Sequence, residues 1–264
     1  MPNPAIAAAT GSGIDIWLTF YDRIADESLL SRLRELLSEE ERRRELRYFF
    51  ADDRKRYLVT RAMVRTVLSR YAPVAPEDWV FSTNGYGRPE IANPFERARG
   101  LTFNISHTRG LIALGVVGHR ALGVDVENIA TRQVSLGIAD RFFAPTEVAE
   151  LSATPIDRQQ DRFFEYWTFK ESYIKARGMG LSIPLDRFSF RYPHERAVGL
   201  SIQPELEDDA ERWSFWQYRP TSEHLLAICA ERTGAERPDV TIRKLVPTVA
   251  EEAFDLNLLR VSDI

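Results

Sequence analysis

The chain has 264 residues, 44% apolar and 28% charged, with a formal net charge of −4; it can bury a sizeable core as one large domain or two smaller ones, and it is no bulk polycation. Its single cysteine, Cys229, excludes an intrachain disulfide and a cysteine-built zinc cluster. No apolar run approaches the length of a membrane span, and the opening MPNPAIAAATGSG lacks the basic-then-apolar order of a secretion signal, so residues 1–13 are expected to be a frayed leader on a cytoplasmic protein.

In chain order, Ile14 to Phe20 (IDIWLTF) is rich in strand formers and predicts the first strand. Leu29, Leu33, Leu36 and Leu37 mark one face of a helix. Ser38 with Glu41 fits a capping box for the next, EEERRRELRYFF, with Leu46, Phe49 and Phe50 as its expected buried contacts. Asp52 or Asp53 is expected to cap a third helix running to about Tyr71. On it Arg54, Arg61 and Arg65 share a face, either to bind phosphate oxygens or to lie solvated. Residues 32–70 hold twelve Lys+Arg against seven Asp+Glu. That basic surface suits a small phosphorylated ligand or an acidic partner, and charge alone does not exclude nucleic acid.

Asn84 to Pro89 (NGYGRP) predicts a stiff loop that presents Arg88. Leu101 to Ile105 predicts a strand, followed past its end by Ser106, His107 and Thr108, with Leu111 to Val117 as its hairpin or crossover partner. His107 and the two hydroxyls can donate to a phosphate. In ALGVDVE, residues 121–127, Asp125 and Glu127 face one way and Leu122, Val124 and Val126 the other. Two carboxylates pointing together suit a hard divalent cation, or else form the exposed acidic side of a half-buried strand. A short helix is expected around Thr146 to Leu151. In FFEYWTFKESYIKARGMG, residues 163–180, Trp167, Glu171 and Lys175 are four apart and lie along one side of a helix, with Lys170 one position off that line. A carboxylate between two lysines suits a site for a metal ion and a phosphate; ordinary ion pairing on an amphipathic helix gives the same spacing. Trp213 to Tyr218 and Leu225 to Ala230 predict a hairpin, VTIRKLV a further strand, and the rest of the tail from about residue 231 has no evident role.

Five motifs stand in order: NGYGRP at 84–89, FNISHT at 103–108, GVDVE at 123–127, FF-x3-E at 142–147 and WTFKESYIKARGMG at 167–180. In these, and in the arginine-rich helix before them, the chain resembles the 4'-phosphopantetheinyl transferases of the larger, two-lobed monomeric class, which modify carrier proteins of polyketide, nonribosomal-peptide and fatty-acid synthesis. The resemblance spans roughly Ile14 to Ala230. It implies an α+β fold of two similar lobes in a pseudo-twofold arrangement, residues 14–120 and 121–264, with coenzyme A in the cleft between them. It further implies that Asp125, Glu127 and Glu171 hold Mg²⁺ against the coenzyme A pyrophosphate. Lys170 and Lys175 would approach the phosphates, and Arg61, Arg88 and His107, beside Ser106, would contact the nucleotide end. A serine of an apo acyl or peptidyl carrier protein would attack the β-phosphate, with Glu171 or a metal-bound water network taking its proton. A Mg²⁺-dependent nucleotide phosphohydrolase fits the same acidic groups without a carrier, and an RNA-binding module fits the arginines but not GVDVE; the resemblance calls for neither nucleic acid nor membrane.

Overall fold

The computed structural model describes residues 13–94, 98–131, 136–234 and 237–262; of the expected leader only Gly13 falls among them. The strand-forming opening run makes β1 (Ile14–Thr19), and helices α1 (Glu27–Glu35), α2 (Glu39–Glu45) and α3 (Ala51–Leu68) follow. A small hairpin, β2 (Phe81–Thr83) and β3 (Pro89–Ile91), precedes the long hairpin β4 (Leu101–Thr108) and β5 (Leu111–Gly118). The second half runs β6 (Leu122–Asn128), α4 (Leu136–Phe142), α5 (Pro145–Ala153), α6 (Gln159–Arg177), β7 (Phe188–Arg191) and β8 (Ala197–Ile202). It closes with the expected hairpin β9 (Trp213–Thr221) and β10 (His224–Glu231), then β11 (Val240–Val246), β12 (Ala250–Ala253) and β13 (Leu258–Ser262).

Two sheets organise the chain. The first has the order β12-β11-β1-β5-β4 and the second β6-β10-β9-β13-β8-β7. Strand alternation sorts the apolar residues into three layers. Trp17, Ile112, Leu114 and Val116 face α1 and α3 and share a core with Leu33, Leu58 and Met63. Ile14, Ile16 and Leu18 face the other way and meet Leu122, Val124 and Val126 of β6, with Trp216 and Ile228, in a core between the sheets. Beyond the second sheet, Phe215, Ala227 and Cys229 pack on Phe169 and Tyr173 of α6. The result is the expected α+β, two-lobed fold, with helices outside and two sheets inside. Among the described residues no helix is long and apolar enough to cross a membrane.

Several sequence expectations change. Residues 121–264 do not all join the second sheet: β11 pairs parallel with β1 and carries β12 with it, while β13 returns to lie between β9 and β8. The tail therefore covers the edge of β1 and ties both sheets together. Strand β4 extends through Thr108, so Ser106 and His107 lie within it and not past its end. The Ser38–Glu41 capping box forms as expected. Neither Asp52 nor Asp53 caps α3; Phe50 stands at the N-cap without a side-chain bond, and Asp52 accepts from the Tyr21 hydroxyl instead. Leu46, Phe49 and Phe50 are not buried: they are 69%, 88% and 66% exposed. The arginine face of α3 is largely not solvated. Arg65 is 2% exposed, pairs with Glu41, and donates to the carbonyls of Pro76, Glu77 and Trp79. That sequestration removes it from any nucleic-acid surface.

Candidate active site between the sheets

The edges of the two sheets meet where β4 runs beside β6. Asn104, Ser106 and Thr108 alternate on β4, so they point the same way. Their side-chain oxygens accept, in turn, the backbone N–H groups of Val124, Val126 and Asn128 at 2.8, 3.2 and 3.0 Å. Three polar side chains thus stand where a neighbouring strand would otherwise satisfy β6. Sequence reading assigned the hydroxyls to a ligand and missed this ladder, though the Asn-x-Ser-x-Thr spacing carried the signal.

On the face of β6 opposite the inter-sheet core lies α6. Gly123 permits the close approach: a Cβ built there would fall 1.9 Å from the Ser172 carbonyl oxygen. The helix line Trp167, Glu171, Lys175 then meets the acidic line of the strand. The Trp167 indole N–H donates to Glu127 Oε1 at 3.2 Å. Lys175 Nζ donates to Asp125 Oδ1 at 2.6 Å, to Ser106 Oγ at 3.0 Å and to the Val124 carbonyl at 3.2 Å. Ser106 Oγ in turn donates to Asp125 Oδ1 at 3.0 Å. Asp125 is 4% exposed, and its second oxygen, Oδ2, is buried with no hydrogen-bond partner among the described residues.

Glu171 completes the group. Burial raises its carboxyl to about 7, the negative charge of Asp125 adds to the rise, and Lys175 opposes it. His107 reaches solvent on its outer side. Loss of water on its inner side, then the positive charges of Arg56 and Lys175, hold its pKa below the ordinary histidine value. The structure therefore brings Asp125, Ser106, Lys175 and Glu171 together where β4, β6 and α6 meet, with Glu127 beside them under Trp167 and His107 within reach of the Lys175 charge.

Three expected ligands lie elsewhere. Lys170 points away from the cleft into the core behind α6. Its ammonium is 0% exposed, pairs with the equally buried Glu147 at 2.8 Å, and donates to the Leu185 and Phe188 carbonyls at 2.7 Å each. Glu147 also accepts the Ala144 and Phe190 N–H groups. This corrects the placement of Lys170 among phosphate contacts: one residue along a helix is about a quarter-turn, enough to cross from the cleft to the core. Arg61 pairs with Glu41 at 2.5 Å and lies over the Phe81 ring. Arg88 turns towards the end of α6, facing the carbonyls of Lys175, Ala176 and Leu122 at 3.3–3.4 Å. Asn84 of the same loop donates to the carbonyl of Gly178, whose φ of 69° ends the helix. The NGYGRP loop thus braces α6 from the first lobe.

Among the described residues no three His, Cys, Asp or Glu side chains are gathered as a metal cluster. The Lys175 ammonium takes the place beside Asp125. Even so, the donor set suits a hard cation: an orphaned buried carboxylate oxygen stands near a second carboxylate that it repels, and a divalent ion relieves both.

The family model of the 4'-phosphopantetheinyl transferase superfamily matches residues 121–229, and that of the 4'-phosphopantetheinyl transferase N-terminal region matches residues 25–117. The chain is similar to the 4'-phosphopantetheinyl transferase Sfp of Bacillus subtilis strain 168, 34% identical over 215 residues, 81% of this chain and 91% of that protein. It is also similar to the 4'-phosphopantetheinyl transferase HetI of Nostoc sp. strain PCC 7120, 32% identical over 235 residues, 89% of this chain and 94% of that protein. The gsp protein of Aneurinibacillus migulanus, of the same description, is 32% identical over 163 residues, 62% of this chain and 65% of that protein. The boundary between the two matched regions falls at the β5–β6 connection, where the sheets meet.

Proposed function

The chain belongs to the 4'-phosphopantetheinyl transferase superfamily and is an enzyme of that type, and on this premise we propose that it moves the phosphopantetheine group of coenzyme A to a serine of an apo acyl or peptidyl carrier protein with Mg²⁺. The observation that carries the reading is the buried Ser106–Asp125–Lys175 contact with its orphaned Asp125 oxygen, at the junction of the two matched regions. In the reaction the serine oxygen bonds to the β-phosphorus as the bond from that phosphorus to the bridging oxygen breaks. Adenosine 3',5'-bisphosphate leaves with the bonding pair.

Asp125, Glu127 and Glu171 would hold Mg²⁺, whose charge offsets that of the diphosphate and of the leaving group. Lys175 supplies a second positive charge; its three donors go to Ser106, Val124 and Asp125, so one of these bonds must be released for it to reach a phosphate oxygen. Glu171 or a metal-bound water network takes the serine proton; burial and the Asp125 charge raise the metal-free carboxyl to about 7, and a bound cation would lower it again. His107 takes the nucleotide side of the cleft, with Ser106 holding Lys175 and Asp125 in register. For Arg61 and Arg88 to reach the nucleotide, each must leave its present partners. The enzyme acts on this reading as a cytoplasmic monomer.

The test combines the protein, coenzyme A, Mg²⁺ and a purified apo-carrier. The carrier gains the mass of one phosphopantetheine, and a chelator in excess stops the gain. Consumption of coenzyme A without loading of any carrier would replace this reading with a phosphohydrolase.

A further inference from the structure

Between α2 and α3 the chain turns three large apolar side chains outward within five residues. Leu46, Phe49 and Phe50 are 69%, 88% and 66% exposed, and the two phenylalanine rings meet edge-to-face at 5.1 Å. The support beneath them is stiff. Glu45 is 1% exposed and held by three bonds from Arg34. Tyr48 turns inward onto Tyr57, and its carbonyl accepts from Arg54. Beside the patch runs a groove lined by Glu40, Arg43, Arg44, Arg47 and Tyr48. An apolar centre with an arginine rim is the composition of a protein-binding surface, and soluble chains seldom leave such a centre bare without a partner for it.

We propose that this patch docks the carrier protein, through an apolar stripe flanked by acidic side chains; the proposal rests on the transferase reading above. Two observations select that occupant. The groove holds three arginines against Glu40, and Arg43 also pairs with Glu39; the positive charge left at Arg44 and Arg47 complements an acidic surface, whereas a second copy of this chain would oppose like charges across a twofold axis. Phe50 also leads directly into α3, three positions before Asp53 and six before Arg56, and the charges of both act on His107. A partner seated on the patch therefore lies at the same end of α3 as the charges that reach His107.

The experiment compares the wild-type enzyme with F49S/F50S and with R43E/R47E. Circular dichroism should be unchanged for both; melting should be unchanged for the exposed F49S/F50S and slightly lower for R43E/R47E, which breaks the exposed Arg43–Glu39 pair. The KM for apo-carrier should rise about tenfold in F49S/F50S at any salt concentration. In R43E/R47E it should rise at about 0.05 M salt and converge on wild type at about 0.5 M, where screening is stronger. Calorimetric affinity for coenzyme A should stay the same in both. An unchanged carrier KM in F49S/F50S overturns the proposal. So does a parallel loss of coenzyme A affinity, which would give the rings to the nucleotide, or a wild-type dimer that F49S/F50S dissociates without changing the carrier KM. Failure of the wild-type enzyme to load any carrier would instead overturn the transferase reading itself.

Discussion

Replacing Lys170 by methionine separates a structural lysine from a catalytic one. The ammonium and the Glu147 carboxylate are both 0% exposed and 2.8 Å apart. Burial pushes Lys170 down and Glu147 up, and in each case the partner's charge opposes the shift. Methionine keeps most of the volume but leaves Glu147 with only two backbone donors, and it strips two buried carbonyls of theirs. Removing one member of a buried pair costs about 3–5 kcal/mol. For a chain of this size that lowers the melting temperature by about 6–20 °C. Calorimetry or urea titration measures the loss, and initial rates well below the transition measure function. Coenzyme A affinity and kcat per folded molecule should remain within about threefold of wild type. Replacing both partners, K170M with E147L, should recover much of the stability, since a packed apolar pair is often as stable as a buried ionic one. Lys175→Met should lose rate heavily and stability as well, because the nearly buried Asp125 carboxylate loses its ammonium partner, whereas K170M costs stability alone. A K170M protein as stable as wild type but unable to bind coenzyme A would refute the placement of Lys170 in the core.

Glu171→Gln should abolish transfer yet stabilise the metal-free protein at pH 8 by about 1–3 kcal/mol. The folded carboxyl titrates near 7 against an ordinary 4.5, so the folded state holds the extra proton between those values and loses stability as pH rises through them; the gain should be absent at pH 4, and a pH-independent difference in melting would contradict the assignment. Gly123→Ala should unseat α6, because its Cβ would meet the Ser172 oxygen at 1.9 Å and the Ala176 nitrogen at 2.4 Å; a variant with wild-type melting and activity would show that α6 can retreat freely. Ser106→Ala should leave the Val126 N–H unsatisfied and Lys175 with one acceptor fewer, costing about 1–3 kcal/mol of stability along with much of the rate. Equal melting in S106A would remove that residue from the ladder joining the sheets.

Much of the site was legible because local periodicity carries it. Alternation in GVDVE put Asp125 and Glu127 opposite Leu122, Val124 and Val126, and the spacing of four put Trp167, Glu171 and Lys175 on one side of α6. These two lines meet in the structure, Trp167 on Glu127 and Lys175 on Asp125. The Ser38–Glu41 capping box and the β9–β10 hairpin were equally local and formed as read. Periodicity gives directions relative to an element's own axis, however, and says nothing about what lies across from them. Lys170 turns inward because Glu147, from another helix, offers a charge in the core. Arg61 and Arg65 are held by Glu41, which stands at least twenty residues earlier. Leu46, Phe49 and Phe50 have helix-compatible spacing, but no element among the described residues covers them, so they face outward. The β11 strand was legible as a strand, while its partner, β1, lies more than two hundred residues away. Only the assembled sheets could choose that partner, because strand pairing depends on which edge the rest of the fold leaves open.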